Sequence, residues 1–455
     1  AKNNIVKGSG DVNAYIGTFA VGTDYNATDI TDEIGSGSNN QILQTFLFVN
    51  ESGDDFHLAA IDTSARNSGT DLSADVNLSI SDDIDGNIRL GAWDIGADEG
   101  GKVIWDGSES SDWATGANWS GGTAPTSDSD VSIDGNYTNA PILDLTFGST
   151  TINSLSLGVN NASTLTLSNG NSTTNKLVVT GDADIGVNGI LTHTANTTAQ
   201  THVINMEAAN FTIASGGIIN VSYKGYGESQ GPGAGGDGIG FGHTGGGAGH
   251  GGMGVVGASR SGTTPGAAGS TYGSLTDPTT IGSGGGDGDG NGGAGGGAVI
   301  LTISGTTTIT GNILANGANS GGYGGGGGGS GGSVNVRTEI LAGSGTISVN
   351  GGTVIGSTYK GGGGGGGRIA VCYATDSSAV SYQAYGPGPS GRYGGAGTIY
   401  TKAVAQSNGD LIVNNNSNSG ASTPLLTSDW IFDNLTILGA GKLDANGYNL
   451  TINAD

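Results

Sequence analysis

Two short runs of acidic and amide residues could hold Ca²⁺: the first is a carboxylate-rich turn, and the second copies the first half of a calcium-binding loop. In both, oxygen-bearing side chains occupy every second position, and Ca²⁺ takes carboxylate and amide oxygens as ligands. Counted from Asp287, the twelfth position is Ala298 rather than a bidentate Glu, so a site there would be weak. The alternative for both runs is a polar turn without metal. The candidate ligands are Asp83, Asp85 and Asn87 in the first run, and Asp287, Asp289 and Asn291 in the second.

The remaining reactive residues give no catalytic pattern. His243 and His250 lie in a glycine-rich segment where nothing in the sequence fixes ring orientation, so we expect hydrogen bonding between segments rather than catalysis. Cys372 lies in the alternating run RIAVCY, where a free cysteine usually acts as a small buried apolar residue. The sequence therefore predicts that this chain is not an enzyme and needs no cofactor.

Four of the five tryptophans, Trp93, Trp105, Trp113 and Trp119, cluster in a short part of the chain. Exposed tryptophans beside Asp and Asn would suit stacking against sugars. The alternative, which we favour, is that they fill the junction between two sections of the fold.

Composition excludes several classes of partner. The 455 residues include 94 Gly, and 14 basic residues against 39 acidic ones give a net charge of −25. Nucleic-acid binding needs a basic face, and an anionic membrane surface would repel this chain. The longest apolar runs are far shorter than the ~20 residues that span a bilayer. A single Cys and an acidic, Asn/Thr/Ser/Gly-rich composition favour an extracellular or cell-surface location.

Short alternating runs between residues 153 and 223, each closed by Gly, Asn or Asp, predict β-strands at roughly dozen-residue spacing. Such spacing is typical of a β-solenoid or a sandwich, and the sharp N-G and N-N corners favour the solenoid. Runs such as TLTLS and TTTIT also raise an ice-binding surface as a minor alternative, although the Thr positions are irregular.

Residues 225–400 contain 63 Gly in 176 positions, without the three-residue period of collagen. Strand-like runs begin at Ala298, Ser333, Arg368 and Thr398, at intervals of 35, 35 and 30 residues. Each repeat is predicted as strand, turn, strand and a long glycine arm. The arms are either flexible loops or polyproline-II-like segments that bond laterally through their free backbone groups; we favour the second.

Three parts of the chain resemble bacterial surface and secreted proteins. DFHLAAIDTSARNSGTDLS (Asp55–Ser73) and DIDGNIRLGAWDIGADE (Asp83–Glu99) resemble the terminal coils of secreted right-handed parallel β-helix proteins of the pectate-lyase-like superfamily. Trp105–Gly135 resembles the start of β-solenoid repeats in autotransporter passengers and giant adhesins, and GGGRIAVCY and GGAGTIYTK are similar to segments of such surface proteins. The resemblance implies an extracellular, architectural module and supplies no catalytic motif.

Together these observations predict an all-β fold: a right-handed parallel β-helix or β-solenoid with an inserted polyglycine-II-like bundle. The expected divisions are terminal β-helix coils (1–100), a second solenoid section (101–224), the glycine-rich region (225–400) and closing coils (401–455). The predicted function is a rigid segment or subunit of a bacterial adhesin, stalk or filament. Its expected partners are further copies stacked end to end, or more of a longer chain, and cell-surface glycans. The alternative is a β-helix module that binds or cleaves polysaccharide.

Overall fold

The computed structural model describes residues 2–8, 22–31, 37–53, 55–59, 62–76, 79–84, 89, 93–98, 102–127, 129–135, 137–169, 173–321, 325–355, 360–426 and 429–453. Of the residues just given, 33% are strand and 2% helical, so the predicted all-β class is confirmed. The chain divides into two compact units, Ala1–Val103 with Asp128–Asp130, and Ile104–Ser127 with Val131–Asp455.

The first unit is built from short elements around a small core. Its strands are β1 (Ile5–Val6), β2 (Ala27–Thr28), β3 (Phe48–Asn50) and β4 (Asp55–Leu58), with a 3₁₀ turn at Glu51–Gly53. β1 pairs with β2 in parallel, and β3 pairs with β4 antiparallel. The core consists of Ala27, Phe46, Leu58, Ala65 and Ile95.

From residue 102 onward the chain runs through many short strands and two 3₁₀ turns. In order they are β5 (Lys102–Ile104), the turns Gly116–Asn118 and Ser120–Gly122, β6 (Asp130–Ile133), β7 (Ile142–Asp144), β8 (Thr150–Ile152), β9 (Ser154–Leu157), β10 (Ser163–Ser168), β11 (Leu177–Ile185), β12 (Gly189–His193), β13 (Ile204–Ile213), β14 (Ile218–Asn220), β15 (Ala298–Ile303), β16 (Thr306–Ile309), β17 (Asn312–Leu314), β18 (Ser333–Ala342), β19 (Thr346–Ser348), β20 (Arg368–Asp376), β21 (Ser381–Gln383), β22 (Thr398–Ala403), β23 (Asp410–Asn414), β24 (Thr423–Pro424), β25 (Trp430–Phe432), β26 (Asn434–Leu438), β27 (Leu443–Asp444) and β28 (Leu450–Ile452).

These strands alternate between two large sheets. A 13-stranded sheet has the order β26-β23-β22-β20-β18-β15-β13-β11-β9-β6-β5, with β8 and β16 paired beside that path. A seven-stranded sheet has the order β21-β19-β17-β14-β12-β10-β7. From β9 to β21 the chain visits the two sheets in turn, and each return adds a parallel strand next to the previous one.

The four strand starts predicted in the glycine-rich region are confirmed. β15, β18, β20 and β22 begin at the predicted residues, and these first residues pair with one another in parallel register. Because the intervals between starts are nearly equal, each repeat adds one strand to the same sheet at the same height. The repeat length of the sequence is therefore the number of residues from the start of one of these strands to the start of the next.

The apolar positions of successive strands stack in columns. Within β10, Leu165 and Leu167 are buried, while the alternate residues Thr164 and Thr166 are partly exposed. In the larger sheet one column of fully buried side chains passes through five strands in register: Leu177, Met206, Leu301, Val336 and Val371. At roughly 25 cal/mol per Å² of buried apolar surface, such columns are the main source of stability in the stack.

Glycine-rich segments leave the sheets between β14 and β22 and lie side by side. They are not strands, but they bond to one another through backbone groups. We number them in chain order as arm 1 (231–238), arm 2 (244–251), arm 3 (253–258), arm 4 (264–272), arm 5 (281–288), arm 6 (290–297), arm 7 (315–321), arm 8 (325–332), arm 9 (349–354), arm 10 (360–367), arm 11 (384–389) and arm 12 (392–397).

Candidate functional site

Arm 2 is surrounded by six other arms and bonds to all of them through three consecutive residues. The N–H groups of Gly245, Gly246 and Gly247 donate to carbonyl oxygens of arms 8, 1 and 3. Their own carbonyl oxygens accept from N–H groups of arms 10, 5 and 4. Six hydrogen bonds to six neighbours therefore satisfy every backbone polar group of these residues without any side chain.

Arm 8 repeats this arrangement and shows its period. Gly327, Gly328 and Gly329 donate to arms 5, 10 and 7, while their carbonyls accept from arms 6, 2 and 9. The next three residues, 330–332, donate to arms 5, 10 and 7 in the same order. A period of three residues is that of a polyproline-II-type helix, which forms no internal hydrogen bonds and so leaves each backbone group free for a neighbour.

The glycines that face neighbouring arms have no room for a side chain. A Cβ built on Gly327 would overlap the carbonyl oxygen of Gly246, and one on Gly246 would overlap that of Ala267. By contrast, a Cβ on Gly321, at the end of arm 7, would approach no atom closer than 3.9 Å. Glycine is therefore required inside the bundle by close backbone approach, and not at every position where the sequence has it.

A buried arginine joins the arms to the larger sheet. Arg368, the first residue of β20, is only 2% exposed. Its Nε donates to the carbonyl of Tyr272 in arm 4 (2.8 Å), and its Nη2 donates to the carbonyl of His250 in arm 2 (3.3 Å). Nη1 donates to the hydroxyl of Thr398 on the neighbouring strand β22 (3.0 Å). Burial lowers the pKa of Arg368 to about 10, so the guanidinium is charged at neutral pH.

His250 is the second polar group of this anchor. Its Nδ1 lies 2.8 Å from the carbonyl oxygen of Gly331 in arm 8, and its Nε2 lies 2.9 Å from the hydroxyl of Thr280. Burial, reinforced by the charge of Arg368, lowers the pKa of His250 to about 3. The ring is therefore neutral, and because a carbonyl can only accept, the ring proton belongs on Nδ1.

The expectation of hydrogen bonding between arms is thus confirmed for His250. The expectation that nothing fixes its ring orientation is wrong, because two hydrogen bonds and the Tyr272 ring, 4.5 Å away between centroids, hold it. Arg368 was not singled out in the sequence. The signal was present: a single arginine follows seven consecutive glycines.

The predicted calcium ligands of the second run lie where arm 5 ends and arm 6 begins, and they take part in protein contacts. Asp287 accepts the N–H of Gly288, and its own N–H donates to Asp237 Oδ1. Asp289 Oδ1 lies 3.4 Å from His243 Nδ1, and the carbonyl of Asn291 accepts an N–H from arm 7. Burial raises the pKa of the neighbouring Glu228, and the nearby carboxylates of Asp287 and Asp237 raise it further.

In the first run, Asp83 lines a cavity, whereas Asp85 and Asn87 lie outside the described residues. Within the ranges that the structure describes, no group of three or more His, Cys, Asp or Glu side chains is placed to hold a metal ion. Calcium binding by Asp83, Asp85, Asn87, Asp287, Asp289 and Asn291 stays a prediction.

The tryptophans are buried. Trp119 lies edge-on to both Trp105 and Trp113, with ring centroids 4.8 and 4.6 Å apart. Their indole N–H groups reach backbone carbonyls: Trp105 donates to Asn139 and Trp119 to Trp113. Trp93, in the first unit, is 3% exposed. None of these four rings is available as an exposed platform for a sugar.

The first unit contains a cavity of about 1280 Å³. The rings of Phe48 and Phe56 form part of its wall, 5.7 Å apart at their centroids, and Phe56 is 55% exposed. Two wall lysines are engaged in ion pairs, Lys2 with Asp75 (3.0 Å) and Lys7 with Glu51 (2.6 Å). The cavity thus combines an accessible aromatic ring with charged groups of both signs.

The chain matches no known protein family, and comparisons with characterised proteins and with solved structures find no significant match to either. No helix in the described part of the chain is long and apolar enough to cross a membrane.

Proposed function

We propose that this chain is an extracellular structural protein, a rigid segment or subunit of a bacterial surface adhesin, stalk or filament. We infer that the two alternating, mainly parallel sheets form the coils of a β-solenoid, and that the arms form a polyglycine-II-type bundle fastened to it. The observation that carries the proposal is the bonding of Gly245, Gly246 and Gly247 to six neighbouring arms. A bundle of this kind gives extent and stiffness through backbone hydrogen bonds alone.

The polar residues support an architectural rather than a catalytic function. The side chains of the buried His250 and Arg368 form hydrogen bonds with backbone carbonyls and hydroxyls of other segments. Surface charge supports an extracellular setting, since a net charge of −25 favours solubility and resists non-specific association. The resemblance of Asp55–Ser73 and Trp105–Gly135 to bacterial β-helix and adhesin segments agrees with this proposal.

The proposal is tested by pulling the full chain from both ends in single-molecule force spectroscopy. A stack of coils releases its chain in steps, and a circuit of 30–35 residues adds roughly 100–120 Å of extended chain. We expect repeated steps of this size at forces that exceed those of an unstructured chain. A smooth extension of residues 225–400, without steps, would contradict the proposal.

Saccharide binding in the first unit is the second candidate function. The accessible ring of Phe56 in the wall of the cavity favours it, because an aromatic face suits the apolar face of a sugar. A glycan array with wild-type protein and Phe56→Ser, combined with a release assay on acidic polysaccharides, tests it. Binding lost in the variant supports a binding module, release of fragments supports cleavage, and no binding removes this candidate.

The ice-binding alternative receives no support from the outward positions of the seven-stranded sheet. One outward row of residues is in register across six strands, and only two of its six residues are threonines: Thr164, Ile190, Ile218, Asn312, Thr346 and Ser381. A regular threonine array is absent from this row.

A further inference from the structure

Charged residues in the glycine-rich region are few and unevenly placed. Residues 225–400 contain only five Lys or Arg, of which Arg337 and Arg368 belong to sheet strands. Of the other three, Lys360 and Arg392 begin arms 10 and 12, and Arg260 lies two residues beyond arm 3. No acidic residue occurs in 253–265, 349–367 or 384–397, the segments that contain them.

The three cationic residues form a row along residues 256–260. Arg392 Nη1 donates to the carbonyl oxygens of Val256 (2.7 Å) and Gly257 (3.0 Å). The carbonyl of Lys360 accepts the N–H of Ala258 (2.9 Å), which places Lys360 next along the segment. Arg260 ends the row and is exposed. At roughly 3.1 Å per residue, the row extends over about 12 Å. We call Arg260, Lys360 and Arg392 the basic row.

An acidic set occupies the ends of two other arms. Asp237 and Asp287, in arms 1 and 5, are exposed and joined by the bond from the Asp287 N–H to Asp237. Asp289 follows directly and is also exposed. No Lys or Arg occurs in 225–259 or 281–297. We call Asp237, Asp287 and Asp289 the acidic set.

Across arm 2, Lys360 of arm 10 lies opposite Asp237 of arm 1. Arg392, which donates to arm 3, lies opposite Asp287 of arm 5. Around this central arm the order is arm 1, arm 4, arm 3, arm 10, arm 8 and arm 5, each bonded to the next, with arm 5 bonded back to arm 1. In this ring arm 1 lies across from arm 10, and arm 5 lies across from arm 3. The end of the bundle is therefore negative on the side of arms 1 and 5 and positive on the side of arms 3 and 10. Arg260 differs from the other two cations, because it donates to the carbonyl of Gly242, the residue before His243, whose ring lies beside Asp289.

Exposed apolar side chains accompany these charges. Phe241 is 95% exposed and precedes Gly242, whose carbonyl accepts from Arg260. Val256, within the basic row, is 45% exposed. Large apolar groups at the rim of a segment that otherwise carries few large side chains are typical of a surface that contacts another macromolecule.

We propose that the arm ends mediate lateral association between copies of this chain, the basic row of one copy docking against the acidic set of the next. The inference rests on the proposed structural function and names the partner and the surface. A strongly acidic chain repels its copies in general, so attraction needs a local concentration of cations, which the basic row supplies. Because the two surfaces differ and face opposite ways, the contact is heterologous, and repetition builds an open array unless the rotation closes a ring.

A charge-swap experiment on the full chain tests this inference by sedimentation velocity in low and high salt. The first variant is R260E/K360E/R392E, and the second is D237K/D287K/D289K. The matched control, K176E/K402E/K442E, changes the net charge by the same amount as the first variant but leaves the arm ends intact. We expect wild type and control to associate in low salt and to dissociate in high salt, because exposed charge pairs are screened.

Each arm-end variant alone is expected to stay monomeric, and an equimolar mixture of the two is expected to associate again, because the reversed surfaces complement each other. Recovery in the mixture cannot arise from misfolded variants. A wild type that stays monomeric in low salt, or arm-end variants that associate as the wild type does, would overturn the inference. Monomers that still extend in steps under force would leave the structural function standing, so the two failures are distinguishable.

Discussion

Arg368 Nε and the carbonyl oxygen of Tyr272 lie 2.8 Å apart, although 96 residues separate them in the chain. Tyr272 belongs to arm 4 and Arg368 is the first residue of β20, so this hydrogen bond joins an arm to the larger sheet. A buried guanidinium is costly unless its donors are used, and here they reach two arms and a neighbouring strand. The side chain of Arg368 thereby fixes the position of arms 2 and 4 relative to the larger sheet.

Replacing Arg368 is expected to destabilise the second unit. In Arg368→Met the carbonyl of Tyr272 loses the Arg368 donor, whereas the carbonyl of His250 keeps the N–H of Tyr272. A carbonyl left unsatisfied costs about 1–3 kcal/mol. Arg368→Lys is expected to recover little, because one ammonium cannot reach three separated acceptors. Denaturant unfolding of both variants measures the loss. The matched surface change Arg337→Lys is expected to stay within about 0.5 kcal/mol of wild type, and an equally small loss at residue 368 would contradict the anchoring role.

Two glycine-to-alanine changes distinguish a glycine that close packing requires from a glycine that it does not. Gly327→Ala places a methyl group onto the carbonyl of Gly246, and we expect a loss of about 1–3 kcal/mol in the free energy of unfolding. Gly321→Ala meets open space, and we expect a change within about 0.5 kcal/mol. Thermal unfolding of the pair provides the comparison. Equal tolerance of both changes would mean that the arms do not pack as described.

His250 gives the stability a defined pH dependence. Its pKa is lowered from 6.5 to about 3 in the folded chain, so the unfolded state binds one more proton between these values. Stability from this group is complete above pH 6.5 and declines as the pH falls toward 3, by about 1.4 kcal/mol per pH unit. Buried His193, whose pKa is also lowered to about 3, adds a second proton.

The measurement is the free energy of unfolding between pH 4 and 6 in wild type and His250→Gln. We expect the slope against pH to fall by about one proton in the variant. An unchanged slope would show that His250 takes up its proton in the folded chain as easily as in the unfolded one.

Cys372 is expected to react slowly with thiol reagents. It is partly buried against the apolar cluster of β20, β22 and β23, and burial raises the pKa of its thiol, although Arg337 and Lys402 act in the opposite direction. Since the thiolate is the reactive species, alkylation at pH 8 should be slower in folded than in denatured protein. Equal rates would place the thiol in solvent.

The strands were predictable and the arm contacts were not. The starts of β15, β18, β20 and β22 followed from alternating apolar residues after glycine runs, because a strand is recognised by the alternation of its apolar and polar side chains. Glycine has no side chain, so nothing in a run such as GGGGGGG indicates that Gly364 bonds to arm 9 and Gly363 to arm 12. The sequence predicted that the arms bond to one another, but not which arms are neighbours. The six-arm ring around arm 2 depends on where the sheets place each arm.

The candidate anchor shows the same division. His250 was identified as a group that bonds between arms, because a ring in a glycine-rich segment has few other partners. Arg368 drew no attention, since a lone basic residue at the start of a strand is usually exposed, and its acceptors are carbonyls that come from arms 2 and 4 only after folding. The four clustered tryptophans are buried, while their filling of a junction between two sections of the fold stays a prediction.

Hydrogen exchange of the backbone amides in arms 2 and 8, followed by mass spectrometry, tests the central claim most directly. Every N–H from Gly245 to Gly247 and from Gly327 to Gly332 donates to a neighbouring arm. We therefore expect these amides to exchange at least as slowly as those of the paired strands β15 and β18. Exchange at the rate of an unstructured chain in arms 2 and 8, with the strands still protected, would contradict the account.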